Sequence, residues 1–102
     1  VGVVYNPLTS DFYTAVSGAG AFKNDQPLRV SEVQAVHQAL LCTGFPYDIG
    51  MSKRNNLKEF TRVIRHAQGV RRDGSAALDL CRVAEGCFDG FWELKLKPWD
   101  VA

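Results

Sequence analysis

A mixed α/β fold is what this sequence of 102 residues predicts, and three observations carry it. Residues 1–30 are short β-branched and aromatic stretches broken by Asn, Gly and Pro turns. Residues 39–102 alternate compact apolar stretches with two segments of helical period. A content of 46% hydrophobic and 11% aromatic residues is enough for one core, and the length suits one domain rather than two. Charged residues make up 23% and nearly cancel, leaving +1, so electrostatics points neither to nucleic acid nor to an anionic membrane as partner. No apolar run approaches the roughly 18–20 residues of a membrane span, and no signal-peptide pattern opens the chain.

The elements follow in order. Residues 1–5 form a strand stopped by Asn6-Pro7, and 11–16 form a second, close enough for an antiparallel hairpin. Ser17-Gly18-Ala19-Gly20 turns into a short strand at 21–23, and Asn24-Asp25-Gln26-Pro27 turns again into 28–30, completing a β-meander. Gly18 and Gly20 lack a third glycine at the dinucleotide-binding spacing and precede a strand, so they are turn glycines. Residues 39–45 read as a buried strand ended by Pro46. Residues 52–68 follow as a helix, with Leu57, Phe60, Ile64 and Ala67 on one face and Gly69 as its C-cap. Lys53, Arg54, Lys58, Arg62 and Arg65 lie off that face, either a solvated surface, the commoner meaning, or a nucleic-acid face. After a short strand or link at 70–72, residues 76–85 form a helix apolar on most sides, with a polar stripe of Asp79, Arg82 and Glu85, closed by Gly86. Residues 88–94 read as a strand, and Pro98 marks the first turn of a helix.

Cys42, Cys81 and Cys87 make no CxxC pair and lie far from His37 and His66, so zinc-finger spacing is absent and small apolar filling is expected. The chain opens on an apolar run without an initiator Met, and its last helix stops after one turn. Both features predict one segment of a longer domain, truncated at both ends. Part of any site would then lie outside it, and apolar faces would be left uncovered.

Three places could carry chemistry. Arg71-Arg72-Asp73-Gly74-Ser75-Ala76-Ala77 opens a helix on small residues, where free N–H groups and the helix dipole favour an anion or a polyol oxygen. Plain capping by Ser75 or Asp73 explains the same residues. Glu93 sits in an apolar strand, where alternation puts Phe91, Glu93 and Lys95 on one face. It either enters a polar cavity or lies on the surface beside Lys95, and the pattern alone favours the surface. Asp100, in the first turn after Pro98-Trp99, is either a helix-end acid or a carboxylate donor to a divalent cation that needs further donors.

These pieces together resemble the inositol monophosphatase family. Gly74-Ser75-Ala76-Ala77-Leu78-Asp79-Leu80-Cys81, then Val83-Ala84-Glu85-Gly86, Asp89-Gly90-Phe91-Trp92-Glu93 and Lys97-Pro98-Trp99-Asp100-Val101-Ala102 are similar to its second sequence block, in its order and spacing. Gly2-Val3-Val4-Tyr5-Asn6-Pro7, Phe12-Tyr13-Thr14-Ala15 and Gly18-Ala19-Gly20-Ala21-Phe22 fit as well. The resemblance is weakest at 31–38 and 48–68. It implies part of a layered αβαβα sandwich and a Mg²⁺-dependent, lithium-sensitive phosphomonoesterase, often homodimeric, acting on a small phosphorylated polyol such as inositol monophosphate; the odd, sparse cysteine set fits a reducing cytosol. The resemblance implies Asp100 as a magnesium ligand, Glu93 as acceptor of a substrate hydroxyl, and Gly74, Ser75 and Ala76 as pocket lining, with Ser75 a contact rather than a nucleophile. The family's first block, a Glu followed by Asp-Pro-(Ile/Leu)-Asp-Gly-Thr, supplies most metal ligands and is absent from this sequence, so the isolated segment is expected to be inactive. Relatives acting on sugar bisphosphates, histidinol phosphate or nucleotides, or a non-catalytic member binding RNA or protein through Arg54, Arg62, Arg65, Arg71 and Arg72, are the alternatives.

Overall fold

The computed structural model describes residues 1–101; Ala102, the last residue of the Trp-Asp block, lies outside the described residues. Four strands, β1 (Gly2–Asn6), β2 (Asp11–Val16), β3 (Gly20–Lys23) and β4 (Gln26–Pro27), form an antiparallel meander in chain order. Val4 pairs with Tyr13, Tyr5 with Phe12 and Thr14 with Phe22. The last strand starts two residues earlier than the sequence predicts. Asn24 and Asp25 both take positive φ, so the turn is complete in two residues, as short polar side chains in the left-handed region allow. Pro27 has no N–H to offer and lies on the edge strand, while residues 28–30 leave the sheet after Leu28 donates to the Ala21 carbonyl at 2.9 Å.

The second sheet is parallel. Its order is β6 (Gly69–Arg71), β5 (Leu40–Thr43), β7 (Gly90–Trp92), with β5 central. Leu41 of β5 lies opposite Val70 on one side and Gly90 on the other. α1 (Leu57–Ile64) connects β5 to β6, and α2 (Ala76–Ala84) connects β6 to β7. α2 joins the two sheets, touching β1 of the meander as well as β5 and β7. This accounts for its wide apolar surface, and it agrees with the sheet-and-helix layering expected of an α/β sandwich. A single 3₁₀ turn at Val36–Gln38 leads into β5, and one helical turn, α3 (Pro98–Val101), ends the described chain.

The helix expected over 52–68 is much shorter. Asn56 has φ 70°, a left-handed conformation that cannot continue into a right-handed helix, so α1 begins at Leu57, whose N–H is taken by Asn55 Oδ1 at 3.1 Å. Its expected apolar face is half covered: Leu57 and Ile64 are 48% and 45% exposed, while Phe60 packs on Phe45 at 5.5 Å between ring centroids. Lys53, Arg54, Lys58, Arg62 and Arg65 are exposed, as a solvated face requires. Gly69 is not a C-cap. It opens β6, and its small size answers Leu40, whose Cδ1 would stand 3.3 Å from an added Cβ.

The polar stripe of α2 is only partly open to solvent. Asp79 is buried, Arg82 pairs with Asp73 at 3.4 Å, and Glu85 accepts from Tyr13 Oη and Lys23 Nζ, both at 2.9 Å. The last two bonds fasten the end of α2 to the meander; burial first and Glu85 second push the Tyr13 hydroxyl up to about 12, with Lys23 opposing them. Cys42 is buried as a filler should be, whereas Cys87 is exposed; all three cysteines are free. Val3, Tyr5, Phe12 and Val16 on the meander and Leu80 on α2 are exposed.

Candidate active site

Parallel strands end on one side of their sheet, and the loops leaving those ends meet there. Here β5 ends at Thr43, β6 at Arg71 and β7 at Trp92. Beyond them lies a cleft of about 420 Å³, and Gly74, Ala76, Glu93 and Asp100, four of the five residues singled out from the sequence, line it together. Ser75 does not line the cleft: it is the N-cap of α2, and its Oγ accepts from Leu78 N–H at 3.5 Å. Capping was one of the two readings the sequence left open for Ser75; Asp73, the other capping candidate, turns instead to Arg82. Gly74 has φ 97°, a conformation that brings the chain into α2 and that a side chain would strain.

Glu93 corrects the strand-alternation reading. β7 ends at Trp92, and Lys95 takes φ 60°, so Glu93 and Lys95 do not share a strand face. The Glu93 carboxyl lies against buried Gly44, where an added Cβ would stand 2.5 Å from Oε1. Lys95 turns to the loop after β5, donating to Asp48 Oδ2 at 2.7 Å and Ser52 Oγ at 2.9 Å, which holds the exposed Asp48 carboxyl below its usual range. Burial pushes the Glu93 carboxyl upward, the negative charges of Asp100 and Asp79 add to this, and Arg72 opposes them.

Asp100 has one oxygen engaged: Oδ2 accepts from the Lys97 N–H at 2.8 Å, as a helix-end acid does. The other oxygen remains for a ligand. Asp100, Glu93 and Asp79 bring three carboxylates to one cleft, oxygen donors of the kind a hard divalent cation takes. No group of three donors that includes Asp100 closes to within 4.8 Å among the described residues, so a cation there would need donors beyond these. Arg72, Lys95 and Lys97 supply positive charge to the same cleft, and the Arg72 guanidinium lies over the Phe45 ring at 5.5 Å.

Several supporting residues carry no sequence signal. Asn56, in a polar run of the sequence, is fully buried behind the cleft. Its Nδ2 donates to Thr43 Oγ1 at 3.0 Å and to the Gly44 carbonyl at 2.8 Å, and its Oδ1 accepts from Trp92 Nε1 at 2.7 Å. Thr43 Oγ1 in turn donates to the Trp92 carbonyl at 2.7 Å. This network locks the ends of β5 and β7, and with them Gly44 and Glu93. Asp79 is also missed, because a charge on a helix stripe reads as solvated; here it is 1% exposed, its Oδ1 has no hydrogen-bond partner, and burial followed by the charge of Asp73 raises its pKa.

The sequence model of the inositol monophosphatase family matches residues 1–102. An inositol-1-monophosphatase from Synechocystis sp. is 46% identical over 102 residues, covering 100% of this chain and 36% of that protein. Haemophilus influenzae Nus factor SuhB is 42% identical, covering 100% of this chain and 38% of the relative. The structure of an inositol monophosphatase from Anabaena (Nostoc) sp. PCC 7120 superposes with a TM-score of 0.97 at 46% identity, over 99% of this chain and 40% of that one. The chain therefore spans well under half the length of the relatives it matches.

Proposed function

This chain belongs to the inositol monophosphatase family, and from that premise we propose that its full-length protein hydrolyses a phosphate monoester with Mg²⁺, inositol monophosphate foremost. The observation that carries this reading is the meeting of Gly74, Ala76, Glu93 and Asp100 in one cleft at the C-terminal ends of the parallel strands. Asp100 would hold the ion through the oxygen its Lys97 contact leaves free, together with donors outside this chain. When bound, magnesium supplies Lewis-acid chemistry, lowering the pKa of a coordinated water and stabilising phosphate oxygens and the leaving alkoxide.

The chain's own residues bind and orient. Gly74 and Ala76 carry no bulk that would keep a polyol or phosphate from the start of α2, whose first N–H groups and dipole favour oxygen and negative charge. Glu93 accepts a hydrogen bond from a substrate hydroxyl, held in place by Gly44 and the Asn56 network behind it. Ser75 serves as cap and is no nucleophile. Arg72 draws the anionic ester into the cleft. No helix among the described residues is long and apolar enough to cross a membrane, and the reading includes a cytoplasmic homodimer.

Sugar-bisphosphate, histidinol-phosphate and nucleotide esters are the competing substrates. A second reading, a non-catalytic RNA- or protein-binding member, draws on the SuhB relative named a Nus factor and on the exposed Arg54, Arg62, Arg65, Arg71 and Arg72. The deciding experiment is a phosphate-ester panel on the full-length protein with Mg²⁺, with and without lithium. Release of phosphate from inositol monophosphate, dependent on Mg²⁺ and inhibited by lithium, is expected. Absence of turnover on every ester, with salt-sensitive RNA binding, would replace this reading by the second.

A further inference from the structure

Cys42, Asp73 and Asp79 place a sulfur and two carboxylate oxygens within 4.8 Å of one another. Three different pieces of backbone bring them there: the central strand β5, the loop after β6, and the first turn of α2. Cys42 and Asp79 are fully buried, and Asp79 Oδ1, with no hydrogen-bond partner, is a buried acceptor of the kind proteins rarely leave unmet. We propose that this cluster is a binding site for a borderline-soft divalent cation, zinc in the first place, separate from any magnesium held at Asp100.

The donor chemistry selects the ion. Magnesium and calcium take oxygen ligands, whereas a thiolate with carboxylates suits zinc or cadmium. Charge balances as well: the thiolate and two carboxylates carry three negative charges, which the dication and Arg82, 3.4 Å from Asp73, cancel. On binding, the Cys42 proton leaves to solvent and its sulfur takes the metal. Three protein donors would leave a fourth position of a four-coordinate ion to a water or other small ligand. Donor separations in a tetrahedral zinc site are about 3.5 Å, so binding would draw these three side chains closer than the 4.8 Å within which they now lie.

The test is a cadmium titration of the full-length protein, followed through the ultraviolet thiolate-to-metal charge-transfer band, with zinc as competitor. A saturable band is expected, displaced by zinc, unmoved by excess Mg²⁺, retained in Cys81→Ser and Cys87→Ser, and lost in folded Cys42→Ser. Asp79→Asn should weaken cadmium binding by more than about 100-fold, beyond the 10–100-fold that loss of an outer partner costs. No band in the wild-type protein, a band surviving Cys42→Ser, or one lost with Cys87→Ser would overturn the proposal. Should Cys42→Ser not fold, unchanged affinity in Asp79→Asn overturns it instead. None of these readouts depends on phosphatase activity, so failure here and failure of the phosphatase reading are distinguishable.

Discussion

Gly44→Ala in the full-length protein perturbs Glu93 without altering its chemistry. The added methyl would stand 2.5 Å from Glu93 Oε1 and 2.6 Å from its Cδ and Oε2, where ordinary contact begins at 3.4 Å. The Gly44 backbone is outside the left-handed region, so alanine itself is tolerated and the carboxylate must yield. It retreats by about 1 Å, a displacement that costs on the order of 100-fold in rate when it misplaces a group in an active site. That is about 2.7 kcal/mol of transition-state stabilisation. Folding loses far less, about 0.5–1.5 kcal/mol for one side chain forced off its rotamer. Steady-state kinetics on the best ester with saturating Mg²⁺, paired with urea unfolding, separates the two. kcat/KM should fall about 100-fold, with little change in the unfolding midpoint. Glu93→Gln should fall comparably, and the double variant should be no worse than either single one. Wild-type kcat/KM in Gly44→Ala, or losses that add in the double variant, would refute the placement of Glu93 on the substrate.

Asn56→Ala strips partners from Trp92 Nε1, the Gly44 carbonyl and Thr43. Thr43 Oγ1 keeps its bond to the Trp92 carbonyl, so two buried groups are left short of a partner; at about 1–3 kcal/mol each, a loss of about 2–6 kcal/mol is expected in urea unfolding, and a loss below about 1 kcal/mol would contradict the network. Asp79→Asn in chelator should raise stability at neutral pH. Burial lifts the Asp79 pKa, so its native protonated form contributes stability that is complete below the ordinary value of 3.8 and lost as pH rises through the lifted one. The advantage of the asparagine variant should thus grow across that interval and level off above it, and melting curves from pH 3 upward read this directly. Asp100→Asn should leave the far-ultraviolet circular dichroism unchanged while magnesium-dependent turnover drops by orders of magnitude; undiminished turnover removes Asp100 from the site. The isolated 102-residue chain should show no appreciable phosphatase activity, and inositol phosphate turnover near whole-enzyme rates would contradict that.

Local chemistry made much of the fold legible. Alternating β-branched stretches and turn residues announce the meander, and the apolar period around Leu57 and Leu80 announces the two helices. Boundaries failed where one residue's backbone overrode the pattern. The left-handed conformation of Asn56 cut five residues from the start of the helix expected at 52, and the paired positive φ of Asn24 and Asp25 moved the last meander strand forward. Gly69 was misread because a glycine required by close packing and one required by a helix end look the same in a sequence.

The functional residues divide along the same line. The ordered motifs from Gly74 to Asp100 pointed to the family and named Gly74, Ser75, Ala76, Glu93 and Asp100 as candidates, since spacing along a chain is a property of sequence. Tertiary structure alone decided that Asp79 is buried beside Cys42, that Asn56 ties together β5 and β7, and that Gly44 backs Glu93. Those relations join residues up to 49 positions apart, as in the Thr43–Trp92 bond. A polar side chain has the same identity whether water or protein surrounds it. Only the packing of α2 between two sheets, and of three loops at one sheet edge, determines which of the two it meets.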